Sequence, residues 1–112
     1  MKKLEAIVRA NKLDAVIDGL ETVGYPGVTI TDVKGHGKQK GLEQHWRGNA
    51  YTIRFIPKVK IEVVVMDEDV GRTVDIIMRK ARTGAIGDGK VFVTEVADAI
   101  RVRTGETGDR AI

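Results

Sequence analysis

The 112-residue sequence predicts an α+β fold in which two β-α-β units share one four-stranded antiparallel sheet, the double split-βαβ or ferredoxin-like arrangement. Three observations carry this. Short β-type runs flank each of two stretches with helical apolar spacing. The same order recurs about 55 residues further on. Each half is too short to be a domain of its own.

Residues 3–9 (KLEAIVR) form the first strand. Asn11 is placed to cap a helix whose apolar residues, Leu13, Val16, Ile17, Leu20 and Val23, fall three and four apart and stop near Gly24. After Tyr25-Pro26-Gly27, the β-branched residues 28–34 (VTITDVK) make a second strand. In the second half, residues 58–66 (KVKIEVVVM) alternate apolar and charged before turning fully apolar. Asp67 or Asp69 can cap the next helix, marked by Val70, Val74, Ile77, Met78 and Ala81. A glycine-rich turn then leads into a last strand over residues 90–96 (KVFVTEV).

With both helices on one face, the other sheet face is left uncovered. Val64 and Met66 share that open face with Lys60 and Glu62, opposite Val59, Ile61, Val63 and Val65. Apolar residues on both faces predict that the open one meets another subunit. Only five residues are aromatic, so the core rests on Val, Ile, Leu and Ala, and association would help it.

Composition narrows the chemistry. The chain is 42% hydrophobic and 31% charged, which describes one soluble domain. It has no cysteine and no serine, which removes disulfides, thiolate zinc sites and the two commonest hydrolytic nucleophiles. His36 and His45 are too few and too loosely placed for a metal triad or a catalytic dyad. The start, MKKLEAIVRANK, is neither a signal peptide nor a membrane span, and a reducing cytoplasm is the expected setting.

Residues 35–57 are too long for a routine connection, and such a loop is functional or disordered. Charge gathers there: residues 34–60 hold seven basic side chains and one acid, a net of +6 in a chain whose total is +3. One basic segment on a mildly acidic body suits a compact anionic ligand or an acidic partner surface more than nucleic acid. Trp46 and Tyr51 flank Arg47 in QHWRGNAY, as interface anchors or as local packing of the loop.

Residues 84–90 (GAIGDGK) match GxxxxGK, but Val91 stands where a P-loop needs a hydroxyl, and the turn runs from helix to strand. A Walker-type NTPase is rejected. Three glycines in six positions can still turn backbone N–H groups into an anion nest beside Lys90, or form a plain turn. Arg101 and Arg103, two apart in an extended run, would point to one side and clamp phosphate oxygens, or else sit as solvated edge charges.

Taken in order, VKGHGKQKG, WRGNAY, FIPKVKIEVVV, RTGAIGDGKVFV and IRVRTGE resemble the PII nitrogen-regulatory signal proteins over essentially the whole chain. The resemblance implies a single PII-type domain over residues 1–112: a cytoplasmic homotrimer of ferredoxin-like subunits with a long flexible regulatory loop between strands two and three (residues 37–55), a glycine-rich phosphate loop (82–90) and a C-terminal segment (101–112). ATP or ADP would lie between neighbours. It implies nucleotide contacts from Thr29, Gly37, Lys38, Glu62, Val64, Gly87, Asp88, Gly89 and Lys90, with Arg101 and Arg103 reaching in from the adjacent subunit. Gln39 and Lys58 match residues that bind 2-oxoglutarate beside ATP-bound Mg²⁺, and Gln39 offers that metal an oxygen. Arg47 matches the loop arginine that plugs an ammonium channel, which would bring the protein to the membrane through its partner. Tyr51 matches a tyrosine that is uridylylated or adenylylated in many members.

The implied function is a non-enzymatic sensor of nitrogen, carbon and energy status acting on an ammonium transporter or nitrogen-assimilation enzymes. Two other classes compete. An RNA-binding ferredoxin-like module would need paired exposed aromatics on the sheet, which the sequence lacks. A slow nucleotide-hydrolysing enzyme would have Asp88 as the only acid inside its glycine loop.

Overall fold

The computed structural model describes residues 1–36, 42–46, 49–53 and 55–112, with the backbone alone for 42–46 and 49–53. Strand β1 (Lys2–Arg9) leads through a 3-10 turn into helix α1 (Leu13–Thr22) and then β2 (Thr29–Gly35). A two-stranded hairpin follows, β3 (Leu42–Trp46) and β4 (Asn49–Ile53), before the long β5 (Ile56–Val65). A second 3-10 turn opens helix α2 (Val70–Ala81), and β6 (Gly89–Glu95) completes the sheet.

The four-stranded sheet has the order β2-β5-β1-β6, and every neighbouring pair is antiparallel. This is the split-βαβ arrangement that the recurring β-α-β order predicts. Alternation along β1 and β5 sends Leu4, Ala6 and Val8, with Val59, Ile61, Val63 and Val65, to the helix-covered face, where they are buried. Val16 and Leu20 of α1 and Ile77 and Ala81 of α2 close the core over them. The helices approach closely at Gly19, where a Cβ would lie 2.9 Å from Ile76 Cγ1.

Four expectations change. Asn11 does not cap α1: it lies inside the 3-10 turn, and Lys12 holds the cap position without a side-chain hydrogen bond. Asp69 holds the cap position of α2, but its carboxylate is drawn away by Tyr25 and Arg72. The connection between β2 and β5 contains the β3–β4 hairpin, which its mixed composition concealed. Arg101 and Arg103 do not lie on an extended strand: residues 102–104 form a turn, closed by the Arg101 N–H donating to the Glu106 carbonyl and the Gly105 N–H donating to the Arg101 carbonyl.

Candidate functional site

The helix-free sheet face is charged. Cross-strand neighbours place Lys3, Glu5, Lys60 and Glu62 together, with Lys3 Nζ 3.3 Å from Glu62 and Lys60 Nζ 3.8 Å from Glu5. Toward one end of this face the acids run out. There the register sets Arg9 opposite Lys58, and Lys90 opposite Ile7, so three cations share one face.

The glycine-rich turn between α2 and β6 folds onto that end. Arg9 Nε donates to Asp88 Oδ1 at 3.1 Å and Arg9 Nη2 to the Ile86 carbonyl at 2.9 Å. Lys58, only 6% exposed, donates to the Gly87 carbonyl. The N–H and C=O of a trans peptide point opposite ways, so these bonds turn the N–H groups of Gly87 and Asp88 away from Arg9 and Lys58. Gly84, Gly87 and Gly89 all have positive φ, which is what lets the chain reverse over so few residues.

Asp88 turns its carboxylate inward. Oδ2 accepts from the N–H groups of Thr83 and Gly84 at 2.9 and 2.8 Å, and Oδ1 accepts from the Thr83 hydroxyl as well as from Arg9. The Thr83 hydroxyl above all, then the Thr83 and Gly84 amides and Arg9, hold this carboxyl well below the usual carboxylate range. Asp88 thus fills the first part of the nest itself. Burial, with the Arg9 guanidinium beside it, lowers the pKa of Lys58, and Asp88 offsets this in part. Lys90 and Arg103 are exposed.

A recess of about 750 Å³ lies further along the sheet, where Thr29, Glu62 and Val64 meet Lys3, Tyr25 and Arg72. Thr29 is directly opposite Glu62. Ladder spacing puts Thr29 and Gly89, on the two edge strands, roughly 18 Å apart. The candidate residues therefore fall into two groups within one chain. Arg101 belongs to neither as it stands, its Nη1 paired with Glu106 at 3.1 Å. Gly37, Lys38, Gln39 and Arg47 lie outside the described residues, and Tyr51 is described only as a β4 backbone position opposite Gln44.

Arg9 and Thr83 are the residues that reading the sequence missed. Arg9 meets the turn across 79 sequence positions, and nothing local to KLEAIVR marks it.

Fold and site define a class: a small α+β split-βαβ domain whose glycine-rich turn is held against the cationic end of the helix-free sheet face. Comparison narrows the class further. The family model for nitrogen regulatory protein P-II matches residues 1–106. The chain is 54% identical to nitrogen regulatory protein P-II 1 of Escherichia coli and 53% identical to nitrogen regulatory protein P-II of Bradyrhizobium diazoefficiens, each over the full length of both chains. It is 51% identical to nitrogen regulatory protein P-II 1 of Methanothermobacter thermautotrophicus over all of this chain and 97% of the relative. The chain belongs to the P-II family of nitrogen regulatory proteins. Among the described residues no helix is long and apolar enough to cross a membrane.

Proposed function

We propose that this nitrogen-regulatory protein is a non-enzymatic sensor that binds ATP or ADP and, with ATP and Mg²⁺, 2-oxoglutarate. Its loop over residues 37–55 carries the bound state to partners, an ammonium transporter or nitrogen-assimilation enzymes. One observation supports this most: Arg9, Lys58 and Lys90 surround the glycine turn with Asp88 as the nearby acid, and that acid is already shared among the turn amides and Arg9. The surplus positive charge, part of it on a buried lysine, suits an anionic ligand.

The donor set fits the proposed ligands. Gly87, Gly89 and Lys90 would offer the phosphates amides and an ammonium, while Asp88 keeps the turn closed. The Lys58 ammonium, engaged by one carbonyl, has protons left for a carboxylate of the keto acid. Gln39 would offer an oxygen to Mg²⁺, which would supply positive charge to the phosphates and the keto acid alike, so that the two would bind better together.

Sites completed at the junctions of a homotrimer, the assembly that the family resemblance implies, would join the two groups across neighbouring chains. Thr29, Glu62 and Val64, together with Gly37 and Lys38, would hold the rest of the nucleotide, and Arg101 and Arg103 would enter from a neighbour after Arg101 leaves Glu106. Arg47 would engage the transporter, drawing a cytoplasmic protein to the membrane, and Tyr51 would be the modified residue.

Calorimetry tests the reading. ATP with Mg²⁺ raises the affinity for 2-oxoglutarate by a large factor, and Gln39→Ala abolishes the increase. Equal affinity with and without nucleotide overturns it.

A further inference from the structure

We propose that Arg9 is a positioning residue for the glycine-rich turn, holding its N–H groups in the orientation that receives an anionic ligand. The inference rests on the anion-binding reading of this turn, and the geometry carries it. One guanidinium spans two points of the turn, the Asp88 carboxylate and the Ile86 carbonyl. The first contact continues through Asp88 to the Thr83 and Gly84 amides, where α2 ends. The second fixes the plane of the Ile86–Gly87 peptide, and therefore the direction of the Gly87 N–H. A single side chain at the end of β1 thus sets both limbs of the turn before any ligand arrives.

Sheet stability gives no reason for an arginine here. Arg9 stands directly opposite Lys58, and like charges in that relation are unfavourable. A neutral side chain would relieve the repulsion on a buried lysine. A role in the sheet alone therefore predicts that Arg9→Ala is tolerated everywhere, whereas a positioning role predicts a loss confined to the turn and its ligand.

Lysine cannot substitute. It keeps the charge but lacks the planar fork that reaches a carboxylate and a carbonyl at once.

The test uses the full chain, its Arg9→Ala and Arg9→Lys variants, and Asp88→Asn, which breaks the same contact from the other side. Amide hydrogen exchange is read without ligand, and binding of ATP with Mg²⁺ is read by calorimetry. In Arg9→Ala and Asp88→Asn, exchange at Thr83 and Gly84 speeds up while Ala6 and Ile61 in the central strands keep their protection. Affinity for ATP falls about tenfold in Arg9→Ala, the scale of one charge-assisted hydrogen bond, and Arg9→Lys recovers little of it. Unchanged exchange at Thr83 and Gly84 in Arg9→Ala overturns the inference, as does full recovery of ATP binding by Arg9→Lys. If the unaltered protein binds no ATP, the sensor reading fails, and exchange alone still decides whether Arg9 orders the turn.

Discussion

A Cβ built on Gly89 would fall 1.8 Å from the carbonyl oxygen of Ile7, on the neighbouring strand. No side-chain rotation relieves a clash between Cβ and backbone, and φ at Gly89 is +107°, where other residues are strained in any case. The ladder between β1 and β6 begins beside this contact, with Val8 opposite Gly89 and Ile7 opposite Lys90. The glycine is what lets the turn enter the sheet and brings Lys90 onto the same face as Arg9.

Gly89→Ala therefore costs about 3 kcal/mol or more in urea unfolding, because backbone strain and the Ile7 clash act together. Gly105→Ala is the control. Its φ is also positive but nothing lies within 4 Å of its Cβ, so it costs only about 1–2 kcal/mol. Equal losses in the two variants would show that the Ile7 contact contributes nothing.

Tyr25 ties the turn after α1 to the turn before α2. Its hydroxyl accepts the Met66 N–H at 3.1 Å and donates to Asp69. Tyr25→Phe removes both bonds and leaves the Met66 N–H without its partner, for a loss of about 1–2 kcal/mol in thermal or urea unfolding. Arg72→Ala, which removes an exposed partner of the same carboxylate, costs less than about 0.5 kcal/mol.

Strands and helices were legible where the pattern is regular over many residues. Residues 59, 61 and 63 alternate with the charges at 58, 60 and 62, and residues 70, 74, 77, 78 and 81 repeat at helical spacing, so their faces follow from the sequence. IRVR failed because four alternating residues look alike in a strand and in a turn; the Arg101–Glu106 backbone bond and the positive φ of Gly105 decide for the turn. At the site, the glycines and Lys90 suggested an anion nest or a plain turn, and the structure shows a tight turn with three positive-φ glycines. The carboxylate within it, Asp88, serves the turn, and Arg9 could not be found locally because its partners come from the other end of the chain.

Acid sensitivity follows from Asp69 and Asp88. The Tyr25 hydroxyl and then Arg72 lower the pKa of Asp69, and the Thr83 hydroxyl and then the turn amides lower that of Asp88, both from an ordinary 3.8. A carboxylate with a depressed folded-state pKa contributes stability above its unfolded value and loses it as pH falls through the folded value. The urea midpoint therefore drops as pH is lowered below 3.8, and Asp88→Asn, having less to lose, shows a shallower drop. An identical acid slope in Asp88→Asn would remove Asp88 from this account.

Lys58 acts in the same direction at the alkaline end of the pH range. Burial first, and Arg9 next, lower its pKa from 10.5, so the folded protein releases this proton before the unfolded chain does. Its contribution to stability therefore grows as pH rises from the folded value toward 10.5. A carboxylate ligand beside the ammonium favours the charged form and raises the folded value. In lysine labelled with ¹³C at Cε, the Lys58 resonance titrates below 10.5 in the free protein and moves up when ATP, Mg²⁺ and 2-oxoglutarate are added together. By linkage, 2-oxoglutarate binds more weakly as pH rises through the free-protein value, since the neutral amine has no charge to offer. If the ligands saturate the protein and the Lys58 midpoint does not rise, another cation receives the keto acid.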